Sequence, residues 1–243
     1  MPDQPPGSSI IFTYLDAGIS VRCHDHLAIV HRGSASLVWG AEFLAEGLSR
    51  RHWCCCLAPR TLHAGILLRL RQLGVEVERH LADHSLQLPS QATTAGDLLE
   101  RAKGFFAEAE TARAPAIRWL DAGVWAQPAG ISAPQFFELH ARLNYLVKHY
   151  PSVALCEFNA EHMEIRDLFS AIAVHRHLLV EATLVRDNPF YIPPEKFLAM
   201  NPEDRESDLR NLFREVGFDL AKLLSNLAGY GQIQGAHGDA SGT

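Results

Sequence analysis

The feature that most constrains this chain is a regular alternation of short apolar runs with longer amphipathic segments, sustained from Leu27 to Val185. Leu27–Val30, Trp53–Leu57, Ala116–Leu120, Val153–Phe158 and Leu178–Val185 are short and predominantly apolar, the signature of strands buried on both faces. Between them, 34–48, 61–73, 94–111, 133–148 and 165–174 place apolar residues at helical spacing. Ser34 stands where it can cap the first of these helices, and Gly74 where it can end the second. Val75–Val77 is predicted to open a further strand. Strands of this kind, each followed by a helix, imply an α/β fold with a largely parallel sheet covered on both sides.

With 243 residues, 47% of them hydrophobic, the chain can bury one substantial core, so one domain with an appendage is expected. Residues 1–15 read as a flexible leader rich in Pro and polar side chains, 16–198 as the domain, 199–230 as a terminal helix and 231–243 as a disordered tail. The net charge of -6, without a long Lys or Arg run, disfavours direct nucleic-acid binding. No apolar run reaches the roughly 20 residues that span a bilayer, and no secretory signal pattern opens the chain. Five cysteines, three of them contiguous as Cys54, Cys55 and Cys56, suit buried strand thiols in a reducing cytoplasm better than a disulfide framework.

From Asp204 onward, Leu209, Phe213, Val216, Leu220, Leu223 and Leu227 recur at steps of four and three, forming a short heptad seam. Gly217 lies inside it and costs about 1 kcal/mol of helix propensity relative to Ala, so packing must supply the stability. Docking on the chain's own domain and pairing with a second copy or a regulatory partner are both open; pairing is the working expectation.

Several short motifs then fall in a recognisable order. Asp25-His26 precedes an apolar strand, Trp125 follows the Arg118–Asp121 strand, Ala141-Arg142-Leu143-Asn144 lies on a helix, and Leu155-Cys156-Glu157-Phe158 on a strand. Asn188-Pro189-Phe190-Tyr191-Ile192-Pro193-Pro194 closes the series. Together they resemble the MEDS domain, the sensory domain of methanogen and methylotroph regulators such as the dichloromethane-dehalogenase repressor. Ala28 stands where members often carry Cys, and His140 where they usually carry Glu. The resemblance implies a RecA/KaiC-like scaffold, attachment to an output module, and sensing of small molecules such as hydrocarbon derivatives.

A RecA-type ATPase needs glycines whose backbone N–H groups approach the phosphates and a Lys that reaches the terminal ones. The corresponding stretch, His31-Arg32-Gly33-Ser34-Ala35-Ser36-Leu37, has one Gly and no Lys. Hydrolysis is therefore not expected, although Ser34 and Ser36 could still hold an anion at the helix start. Cys23, His24, Asp25, His26 and His31 are metal-ligating types, but neighbours on a strand point to opposite faces and no paired ligand motif accompanies them. No metal and no cofactor are therefore predicted, and His26 is read as an orienting residue.

Arg118, Asp121 and Trp125 lie at or just beyond a strand end, where open α/β sheets place ligands, and could line a pocket for a small hydrophobic ligand. His140 and Asn144, four apart, share a helix face that meets either a cleft or solvent. Cys156 reads as a small core residue. Asn188, Pro189, Pro193 and Pro194 are read first as a lock that closes the fold, because proline forbids regular ladder bonding, with Tyr191 packed there and its hydroxyl paired, and second as a wall of the ligand pocket to which Tyr191 would contribute. The expected function is a non-catalytic sensory regulator, with transcriptional control as one setting, that relays a ligand or partner signal to an output protein. A residual nucleotide-binding protein or ATPase and a structural adapter of a kinase or transcription-factor complex are the rivals.

Overall fold

The computed structural model describes residues 11–15, 18–32, 37–89, 94–121, 131–180 and 183–215, with backbone only at 37–39. Ser34, Ser36, Trp125, Val216, Leu220, Leu223, Leu227 and the tail at 231–243 lie outside the described residues.

The apolar runs become the strands of one sheet. A short antiparallel pair, β1 (Ile11–Leu15) and β2 (Ile19–Arg22), precedes β3 (His26–His31), β4 (Trp53–Leu57), β5 (Leu86–Gln87), β6 (Ile117–Asp121), β7 (Ser152–Asn159), β8 (His177–Val180) and β9 (Thr183–Val185). The seven strands after the pair form a sheet in the order β5-β4-β6-β7-β3-β8-β9, parallel except for the last pairing. The first strand of the sheet thus lies between β7 and β8, and the chain must cross the sheet to return, which the intervening helices accomplish.

Period-two alternation along the strands divides the interior into two cores. Leu27, Ile29, Cys54, Cys56, Leu120 and Leu155 face one side, covered by α1 (Leu37–Ser49), α2 (Arg60–Gln72) and the β1–β2 pair. Ala28, Val30, Cys55, Trp119, Cys156 and Phe158 face the other. There they meet α4 (Ala95–Thr111), α5 (Ala133–His149), α6 (Ile165–Val174), α7 (Pro194–Ala199) and α8 (Arg205–Glu215). Local signals set the helix starts: the Thr94 side chain accepts from the Asp97 N–H at 3.0 Å, and Gln135 Oε1 accepts from the Ser132 N–H at 3.1 Å.

Four expectations change. Ile11–Leu15, placed in the leader, is a strand whose Phe12 and Thr13 are buried, because it supplies a lid over α1. Val75–Val77 is not a strand: Gly74 at φ +83° turns the chain after α2, and Val77 instead opens α3 (Val77–Ala82) as its buried anchor. The sheet edge there is only the two residues of β5. Leu178–Val185 is a hairpin, with β9 folding back antiparallel on β8.

The seam is the fourth. Its described part does not wait for a partner: Leu209 and Phe213 are buried at 0% and 1% exposure against the domain itself. Phe213 stacks on Phe190 at 4.5 Å and meets Phe169 of α6 edge-on at 4.6 Å. At the other end of α8, Arg205 pairs with Glu138 of α5 at 3.0 Å and lies over the Phe197 ring. Burying each such aromatic ring is worth on the order of 2 kcal/mol, enough to hold an 11-residue helix that is too short to be stable alone.

Candidate functional site

Five separate elements converge beneath the middle of the sheet. The first residue of β3 supplies His26, the last residue of β6 Asp121, the centre of β7 Cys156, the middle of α5 His140 and the residue capping α6 His175. All are buried, at 0–2% exposure. Parallel register makes the strand contributions inevitable: Cys156 sits beside Ala28 on one neighbour and Asp121 on the other, and His26 lies two residues before Ala28 on the same face.

The donor atoms of His26, His140, Cys156 and His175 all lie within 4.8 Å of one another. Cys156 Sγ is 3.4 Å from His26 Nε2, and the His26 ring lies 4.2 Å from that of His175. His140 Nε2 approaches Asp121 Oδ2 to 3.2 Å, but the pair is not aligned as a hydrogen bond. His175 Nδ1 lies 2.6 Å from the Ala171 carbonyl, which can only accept, so Nδ1 carries the proton and Nε2 keeps its lone pair. That Nε2, His26 Nδ1, both His140 nitrogens and both Asp121 oxygens are buried without a hydrogen-bond partner among the described residues. Phe136 and Phe158 wall the cluster, 4.5 Å and 5.9 Å from the His140 ring.

Burial sets the protonation. It pushes His26 and His140 down to about 3 and His175 well below the usual imidazole value, the neighbouring imidazoles adding to this for His26 and His175. Burial also raises Asp121 and Cys156 well above their ordinary values. The cluster therefore offers neutral imidazoles, a thiol and a carboxyl group that nothing nearby stabilises as a charge.

The sequence candidates separate into groups. His26, Asp121, His140 and Cys156 come together; Arg118 does not join them. Three residues from Asp121 on a strand, it points to the opposite face, where it donates to the Phe43 carbonyl at 2.6 Å and pairs with Glu46 at 3.0 Å. Asn144 stands beside the cluster as a tether, its Nδ2 donating to the Val174 carbonyl at 3.0 Å and so fixing α5 against the end of α6. Asn188 does the same from the other side, donating to the Ile172 and His175 carbonyls at 2.8 and 2.9 Å and accepting from the Phe190 N–H at 3.0 Å.

Tyr191 departs from expectation, since its buried hydroxyl has no partner among the described residues and burial raises it to about 12. Of the Cys23–His31 group only His26 reaches the cluster. Asp25 turns to His177 and Arg186, at 3.3 and 3.1 Å, and His24 Nδ1 contacts the Val147 carbonyl. His175 belongs to no motif; the available signal was a histidine directly after the apolar helix 165–174, entering a strand parallel to that of His26.

A mostly parallel sheet with helices on both faces, its first strand in the interior, defines a doubly wound α/β domain. An uncharacterised protein of Pyrococcus horikoshii, solved in complex with an unknown peptide, shares this fold with a TM-score of 0.51 at 14% identity, over 66% of this chain and 78% of its own. Flagellar accessory protein FlaH of Methanocaldococcus jannaschii aligns with a TM-score of 0.48 at 10% identity, over 69% of this chain and 77% of its own. The model of the family described as MEDS, the methanogen/methylotroph, DcmR sensory domain, matches residues 25–176, and the chain belongs to this family. Transcriptional repressor DcmR of Methylorubrum extorquens is 24% identical over 161 residues, covering 65% of this chain and 61% of the repressor. The match thus spans about three-fifths of the repressor's length, and it fits a regulatory role. Among the described residues no helix is long and apolar enough to cross a membrane.

Proposed function

We propose that the chain is a non-catalytic sensory regulator in which the buried His26–Asp121–His140–Cys156–His175 cluster receives the signal and α8 presents it to an output partner. One chain of contacts carries this reading. The carbonyl of His175, a cluster residue, accepts from Asn188; Asn188 in turn accepts from the Phe190 N–H; and the Phe190 ring stacks on Phe213 of α8. A change in the cluster that shifts the end of α6 by a fraction of an ångström must move or break these bonds, because packed interiors do not deform continuously. The aromatic walls suit a small hydrophobic ligand such as a chlorinated one-carbon compound, the class that the family resemblance implies.

The test is thermal unfolding of the full chain with dichloromethane or with ATP, coupled to hydrogen exchange over 205–215. A ligand at 100 times its Kd stabilises by about 2.7 kcal/mol, which for a chain of this size raises the melting temperature by about 5–10 °C. The expected result is a shift with dichloromethane, none with ATP, and altered exchange in α8. A shift with ATP alone, or a dichloromethane shift that leaves α8 unchanged, would overturn the reading.

A further inference from the structure

We propose that His26, His140, Cys156 and His175 form a closed tetrahedral site for one divalent transition-metal ion of the zinc class, with Asp121 as the carboxylate that completes its charge balance. The inference deepens the sensing reading by naming what the cluster holds, and its test reads metal uptake alone, so either can fail without the other.

The donor set is the first support. Three imidazole nitrogens and a sulfur suit zinc, cobalt or their neighbours and not calcium or magnesium, which take oxygen ligands. Metal–nitrogen bonds of about 2.0 Å and metal–sulfur bonds of about 2.3 Å place tetrahedral donors roughly 3.3–3.5 Å apart. The His26 Nε2–Cys156 Sγ pair already stands at 3.4 Å, and the full set, within 4.8 Å, needs a contraction of up to about 1.5 Å.

The unmet atoms are the second. Buried imidazole nitrogens normally have partners, yet among the described residues His175 Nε2 and both His140 nitrogens have none, and an ion held by His26 Nε2 and Cys156 Sγ would take the first and one of the other two. His175 is also held as a ligand would be, its Nδ1–H fixed by the Ala171 carbonyl so that Nε2 presents a lone pair.

Charge is the third. A divalent ion, the Cys156 thiolate and the Asp121 carboxylate sum to zero, which removes the penalty of an unpaired buried charge. Binding forms one metal–sulfur and three metal–nitrogen bonds and releases the thiol proton to solvent, together with the Asp121 proton where that group is protonated; no oxidant or reductant is involved. With all four positions filled by protein there is no open position for a hydrolytic water, so the ion serves structure or sensing. The competing account is a stack of neutral histidines, with the Cys156 thiol bonded to His26 and no ion at all.

Full-length chain stripped with a chelator, and shown by circular dichroism to remain folded, is titrated with Co2+. Uptake of one Co2+ per chain is expected, with intense tetrahedral visible bands, a near-ultraviolet sulfur-to-cobalt band, and displacement by Zn2+. Cys156→Ser should lose the near-ultraviolet band, whereas Cys23→Ser should keep it. Asp121→Asn should keep the bands but weaken binding by about 10–100-fold. Folded wild-type chain that takes up less than one equivalent, or a sulfur-to-cobalt band that survives in folded Cys156→Ser, overturns the proposal. Should Cys156→Ser fail to fold, the wild-type stoichiometry and spectrum still decide it.

Discussion

Replacing Asn188 with Ala tests the lock between α6 and the chain that leads to α8. Asn188 is 4% exposed and makes three side-chain bonds at 2.8, 2.9 and 3.0 Å, to the carbonyls of Ile172 and His175 and from the N–H of Phe190. Truncation removes all three, leaves the His175 carbonyl and the Phe190 N–H to be met by water or not at all, and leaves the Ile172 carbonyl only the long His175 N–H bond at 3.4 Å. At about 1 kcal/mol net per bond, the cost is about 3 kcal/mol, and more if water cannot enter. For a chain of this size that corresponds to a fall in melting temperature of about 6–12 °C. Urea unfolding followed by circular dichroism gives the free energy directly, with Asn201→Ala as the control. Asn201 is exposed, bonds only within its own turn, and should cost no more than about 1 kcal/mol. A loss under 1 kcal/mol for Asn188→Ala, or one equal to the control, would refute the lock.

Two glycines should diverge. A Cβ at Gly47 would lie 2.5 Å from Arg118 Cδ and 2.8 Å from Cys54 Sγ, so Gly47→Ala should cost about 1–3 kcal/mol, whereas Gly104→Ala in α4, with nothing within 4 Å, should stabilise by about 0.5–1 kcal/mol; urea midpoints read both. Burial alone would raise Glu46, but the Thr13 hydroxyl and Arg118 hold it below its usual 4.5. Its stabilisation is therefore present above that pH and is lost as pH falls through the lowered value. Glu46→Gln should cost about 1–2 kcal/mol at pH 7, and the difference from wild type should shrink below pH 4.5 in a series of melts. Phe213→Ala should cost about 3–5 kcal/mol, with a melting temperature independent of protein concentration. Dependence on concentration would show that α8 instead pairs with a second copy of the chain.

Strand and helix order was legible because buried parallel strands are short and predominantly apolar, and the helix 165–174 carries unbroken periodicity. What periodicity cannot supply is register. The separation of Arg118 from Asp121 follows from counting along a strand, and pairing them in one pocket ignored that count. The meeting of His175 with His26 depends on a third strand lying beside the first, which no local pattern records. His140 and Asn144 were placed on one helix face correctly, but only the packing of α5 shows that this face is buried. The heptad seam was visible, yet its partner, the Phe169 and Phe190 rings, lies in segments that only tertiary structure brings to it.

Communication between the cluster and α8 is tested most directly by a double-mutant cycle of His175→Gln with Phe213→Leu, measured as unfolding free energies in urea. Among the described residues the two positions are linked through α6, Asn188 and Phe190, and more remotely through α5, whose Glu138 pairs with Arg205 of α8, so a working connection predicts a coupling of at least about 0.5 kcal/mol. Additivity within about 0.3 kcal/mol would show that the cluster and the terminal helix do not sense each other, and would contradict the account.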